Sequence, residues 1–153
     1  MKAEHINSFY QATQEVFQLM LDLDVSRGDL RIIEDLVSNR EANVLLGITG
    51  DLQGSILFSF DDDTVLKMVH IMSGIEMKEI DNFVSSALGE VANIISGSAA
   101  TNLTSHNYIC DITPPQIFIG KHKSLSLANK KTLQLPLITN IGAFDVNISL
   151  AEK

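Results

Sequence analysis

Glu79-Ile80-Asp81-Asn82-Phe83-Val84-Ser85-Ser86-Ala87-Leu88-Gly89-Glu90-Val91-Ala92-Asn93-Ile94-Ile95-Ser96-Gly97-Ser98-Ala99-Ala100-Thr101-Asn102-Leu103 is the stretch around which the rest of the chain is organised. Wound at about 100° per residue, it gathers Ile80, Phe83, Val84, Ala87, Leu88, Val91, Ile94 and Ile95 into one broad apolar stripe, the expected core face of a long helix. Opposite them lie Asn82, Ser86, Gly89, Glu90, Asn93, Gly97 and Ala100, a face that is polar, almost uncharged and built from small side chains. A solvated helix face normally carries Lys, Glu, Arg and Gln, which favour the helix and support one another at i,i+4. Gly89 and Gly97 each cost about 1 kcal/mol relative to Ala in a helix interior, so a compensating gain is expected. Close approach of another backbone is the simplest such gain. Glu90 and Asn93, at i and i+3, then project side by side into whatever docks.

Upstream, Ile6, Phe9, Tyr10, Thr13, Val16, Phe17, Met20 and Leu21 recur at helical spacing and predict an amphipathic helix from Lys2 to about Leu23. Arg27-Gly28-Asp29 reads as a turn, and residues 30–38 as a strand carrying Leu30, Ile32, Ile33, Leu36 and Val37. Two β-rich runs between Asn43 and Phe60, joined through Gly50-Asp51-Leu52-Gln53-Gly54, predict a hairpin. Asp61-Asp62-Asp63 then opens a second helix, with one aspartate expected as N-cap and Gly74 as its stop. A calcium loop would need a glycine and a glutamate at offsets that are missing here.

Downstream, Tyr108 to Thr113 reads as a strand broken by Pro114-Pro115, and extended structure resumes from Gln116 to Gly120. Leu133, Leu135, Leu137 and Thr139 alternate, Asn140-Ile141-Gly142 turns the chain, and Phe144, Val146, Ile148 and Leu150 alternate on the return. That is a second hairpin, in which Pro136 suggests an edge strand or a bulge.

A length of 153 residues suits one domain spanning 1–153 with a substantial core. The net charge of −8 argues against nucleic acid, whose phosphates demand clustered Lys and Arg. The single cysteine, Cys110, excludes an internal disulfide and reads as a small buried strand residue in a reducing compartment. No apolar run nears the roughly 18 residues that cross a bilayer, and the amino terminus lacks a secretory pattern, so the expected setting is cytoplasmic, without membrane contact. His5, His70, His106 and His122 share no metal spacing, and no Gly-rich strand-to-helix turn marks a nucleotide site.

One carboxylate and one carboxamide do not make a self-sufficient hydrolase, because nothing in the chain supplies a nucleophile or a metal. They suffice if the partner brings the reactive centre. An aspartyl phosphate with its own magnesium lacks only a positioned water, which Asn93 can orient, while Glu90 can pair with a lysine beside the phosphate.

Ser86-Ala87-Leu88-Gly89-Glu90-Val91-Ala92-Asn93-Ile94-Ile95-Ser96-Gly97 resembles the signature helix of the CheC/CheX family of chemotaxis phosphatases, the CheX type in particular. The E-x-x-N core is short, but the leading Ser-Ala, the glycine four residues after Asn93, and Ile112-Thr113-Pro114-Pro115 downstream make the match specific. Ile6-Asn7-Ser8-Phe9 also resembles the family's Asn-Pro-Phe opening, with Ser8 in place of the proline. The resemblance implies an α+β, CheC-like fold in two layers, a mainly antiparallel sheet packed against long helices, and a homodimer. It implies a phosphatase of a CheY-type response regulator, with Asn93 orienting the water, Glu90 pairing with the regulator's lysine, and Ser86, Gly89, Gly97 and Ala100 meeting the partner. No cofactor is expected on this chain; Mg2+ is expected on the regulator. The alternative is a non-catalytic docking module, since the fold resembles that of flagellar switch proteins; retention of both Glu90 and Asn93 favours the enzyme.

Overall fold

The computed structural model describes residues 2–34, 40–120 and 131–153. Three helices, α1 (Ala3–Leu21), α2 (Asp62–Ser73) and α3 (Asn82–Thr104), accompany strands β1 (Ser26–Arg27), β2 (Arg31–Ile33), β3 (Ala42–Gly50), β4 (Leu52–Phe60), β5 (Cys110–Ile112), β6 (Gln116–Ile119), β7 (Thr132–Thr139) and β8 (Gly142–Glu152). All the described strand pairs are antiparallel, and the sheet runs β1-β7-β8-β4-β3-β5, with β2 also on β7 and β6 also on β3. The expected α+β layering is therefore what forms.

Register explains where the core sits. Val44 pairs with Phe58, Leu46 with Ile56, Phe58 with Val146 and Ile56 with Ile148, so the apolar members of three central strands share one face. Leu135 opposite Val146 and Leu137 opposite Phe144 continue that face, as the alternation in the second hairpin predicts. The helices cover it: the ring of Phe17 on α1 stacks 5.1 Å from Phe144, which stacks 4.7 Å from Phe60. On the other face Asn147 is buried but satisfied, donating to the Leu57 carbonyl (3.0 Å) and accepting from Gln134 Nε2 (3.0 Å).

Three local expectations change. Pro136 is neither at a free edge nor at a bulge. Its carbonyl accepts from Gly28 N–H (2.9 Å) where the partners of β7 change from β2 to β1, so its missing N–H points into that break. The predicted strand over residues 30–38 appears as Arg31–Ile33; its Leu36 and Val37 lie outside the described residues, as does His122. Asp61 holds the N-cap position of α2, but its side chain does not cap. Arg40 takes it instead at 2.9 Å while also holding Asp145 at 2.8 Å, and a charge-assisted pair outcompetes a neutral N–H donor. Gly74, at φ 74°, ends α2 as expected.

Replacement of the Asn-Pro-Phe opening by Ser8 leaves α1 continuous. Ser8 Oγ donates to the Glu4 carbonyl (2.8 Å), and the Ser8 carbonyl accepts from Asn102 Nδ2 (3.2 Å), tying α1 to α3. No helix among the described residues is long and apolar enough to cross a membrane.

Candidate functional site

α3 carries all the candidate residues. Asp81 starts it, accepting the Val84 N–H at 2.9 Å, and 23 residues follow without a proline. Its buried set is Val84, Leu88, Gly89, Val91, Ala92, Ile95, Ser96, Ala99 and Leu103, an arc of about 160° at 100° per residue. That arc includes small residues because α3 packs tightly, along α1 on one side and against β5 and β6 on another.

The arc is rotated from the one that apolar spacing predicts. Gly89 is buried, and a Cβ placed there would lie 2.9 Å from Ile117 Cδ1 and 3.8 Å from Pro115 Cγ. Its clearance therefore serves β6 of the same chain, correcting its expected place on the exposed face. Conversely, Phe83 (50% exposed) and Ile94 (38%) leave the predicted core stripe for the surface. Both lie within about 40° of Glu90 around the helix axis. Small residues at 89, 92, 96 and 99 sink into the packing, and the two large apolar groups remain outside. Gly89→Ala is expected to be nearly neutral, because the clash falls on the mobile end of Ile117 and the helix gains about 1 kcal/mol of propensity. Thermal unfolding within roughly 3 °C of wild type is the expected result.

Of the other candidates, Ser86 and Glu90 are exposed, and Asn93, Gly97 and Ala100 are half-buried. A Cβ at Gly97 would meet nothing within 4 Å, so this glycine leaves open surface. Glu90 and Asn93 lie about 4.5 Å apart along the helix axis and about 60° apart around it. Among the described residues neither side chain has a hydrogen bond or ion pair within its own chain. Glu90 is also the only charged residue between Asn82 and Thr104. A carboxylate and a carboxamide, both unpartnered on one convex helix face, can accept and donate hydrogen bonds but supply no nucleophile. Among the described residues no group of three or more His, Cys, Asp and Glu could hold a metal ion.

The family model described as chemotaxis phosphatase CheX matches residues 42–137, a span that contains β3, β4, α2 and the whole of α3. The chain belongs to the CheX family. The CheY-P phosphatase CheX of Thermotoga maritima is 29% identical over 98% of this chain and 97% of its own. A chemotaxis protein CheX from Desulfovibrio desulfuricans superposes with a TM-score of 0.87 at 25% identity, covering 98% of this chain and 99% of that one. CheX of Borrelia burgdorferi, solved in a complex with CheY, BeF3 and Mg2+, gives a TM-score of 0.81 at 28% identity over 97% of this chain and 98% of that one. The CheX-family chain described here shares their α+β, CheC-like architecture.

Spacing alone does not reveal that Phe83 and Ile94 are exposed beside Glu90. The signal that finds them is their common azimuth: residues 11 apart come back to within about 20° of each other, and Glu90, between them in sequence, lies on the same side of the helix.

Proposed function

We propose that this chain dephosphorylates a CheY-type response regulator by laying the exposed face of α3 over the regulator's aspartyl phosphate. The observation that carries the reading is the unpartnered pair Glu90 and Asn93, one helical turn apart on a face with no other charge. The partner completes the site. Its Mg2+ neutralises the phosphoryl oxygens, its aspartate is the leaving group, and its lysine meets Glu90.

The Asn93 carbonyl oxygen accepts one hydrogen of a water and holds the water's oxygen in line with phosphorus. The new O–P bond forms as the bond from phosphorus to the aspartyl oxygen breaks. Aspartate leaves as a carboxylate, and the water's proton ends on inorganic phosphate. A carboxamide cannot take that proton, so Asn93 contributes positioning, which a loose phosphoryl transition state chiefly needs. Glu90 adds a charge-assisted contact that aligns the complex.

The test is phosphate loss from a phosphorylated receiver domain, with and without the protein. A rate that rises with concentration of this chain supports the proposal. Docking without acceleration would leave a binding module of the flagellar-switch kind. Glu90→Ala is expected to weaken binding to the phosphorylated regulator by about tenfold or more, the scale of one charge-assisted contact, with a smaller loss in turnover. Equal binding of wild type and Glu90→Ala would remove Glu90 from the docking role.

A further inference from the structure

We infer that Phe83 and Ile94 are the apolar anchors by which α3 grips its regulator, setting affinity and choice of partner while Glu90 and Asn93 address the phosphate. The inference rests on the regulator reading above and extends it to residues that do no chemistry.

Exposed apolar side chains are common singly, and this chain has such cases in Leu19 on α1, Ile32 on β2 and Ile138 on β7. α3 differs because it exposes two on one face, with the lone carboxylate between them. Phe83 stands about 10 Å toward the amino end from Glu90, and Ile94 about 6 Å toward the carboxyl end. The arrangement is an apolar contact at each end of a polar centre, on a 23-residue helix that is otherwise uncharged.

Its charge selects the occupant. A second copy docking through the same face about a two-fold axis would set Glu90 near its own equivalent, with no cation anywhere on α3 to relieve the repulsion. A regulator offers the opposite pattern: a lysine at the phosphate pocket, surrounded by the pocket's rim. Because the pocket chemistry is shared among receiver domains, Glu90 and Asn93 cannot distinguish one regulator from another. Contacts outside the pocket must do so, and Phe83 and Ile94 are the large side chains available there. Buried aromatic and aliphatic anchors carry much of the energy of such interfaces.

The experiment compares wild type, Phe83→Ala, Ile94→Ala and the double variant. The readouts are steady-state dephosphorylation of a CheY-type receiver domain, binding to that domain loaded with beryllofluoride and Mg2+, and molecular mass by sedimentation. The double variant is expected to raise KM and the dissociation constant by about tenfold or more, with kcat within about twofold and mass unchanged. Unchanged KM and binding overturn the inference, as does a change of mass, which would assign the face to a second copy. If wild type binds without hydrolysing, the phosphatase reading falls, while loss of binding in the double variant still upholds these anchors. If wild type does neither, both fall.

Discussion

Asn93→Ala is expected to lower the turnover of regulator dephosphorylation by roughly 10²-fold or more, the scale of removing one preorganised polar group from a transition state. The loss should fall on kcat, with regulator binding changed little, because a water held in line matters only as the O–P bond forms. A structural explanation for such a loss is weak at this position. Asn93 is half-buried and has no hydrogen-bond partner among the described residues, so truncation strands no buried partner there. Alanine also favours the helix over asparagine. Single-turnover decay of a phosphorylated receiver domain, with variant protein in excess, isolates the chemical step. Decay as fast as with wild type would remove Asn93 from the mechanism even if the protein is a phosphatase.

Gly54→Ala should be the most damaging substitution for the fold itself. Gly54 lies in β4 between Ile48 of β3 and Leu150 of β8, at φ 154°, a backbone region that L side chains rarely adopt. A Cβ there would lie 1.8 Å from the Ser149 carbonyl oxygen and 2.8 Å from its carbon, both in the backbone of β8. No rotamer relieves contact with a backbone held in register from Leu52 to Phe60 of β4. Strain at positive φ and displacement of β8 together amount to about 3–5 kcal/mol, a large part of the 5–15 kcal/mol that stabilises a typical domain. At this chain length the midpoint of thermal unfolding should fall by about 10 °C. A fall of under about 2 °C would show that β8 can move aside. Gly89→Ala supplies the contrast, since its added methyl meets a flexible side-chain end and Gly54's meets a carbonyl.

Much of the architecture was legible because the strands obey a period of two. Phe144, Val146, Ile148 and Leu150 face the core as their spacing requires, and the second hairpin turns at Asn140–Gly142 with Thr139 opposite Gly142. The E-x-x-N pair was legible as a type and a spacing. What spacing could not supply was the rotation of α3. Apolar periodicity weights large side chains, so it centred the buried stripe on residues that include Phe83 and Ile94. The helix instead buries the small residues at 89, 92, 96 and 99, where α1 and the edge formed by Pro115 and Ile117 come close. Small residues on a helix mark close approach without saying which chain approaches. Gly89 answers to its own sheet, and Gly97 is left open. Asp61 takes the expected N-cap position of α2, and only its missing side-chain cap was illegible: Arg40 is distant in sequence, and local pattern could not anticipate its claim on that carboxylate.

The convexity of α3 also governs what happens after hydrolysis. A concave site retains its product and must open before the next turnover. In the mechanism proposed above the phosphate cavity belongs to the regulator, and this chain contributes only the helix face that closes it. Separation of the two proteins and escape of phosphate become one event. On that mechanism the lifetime of the phosphorylated signal scales with how often the pair collides and stays, and free small phosphate esters, which bring no cavity of their own, are expected to be left unhydrolysed.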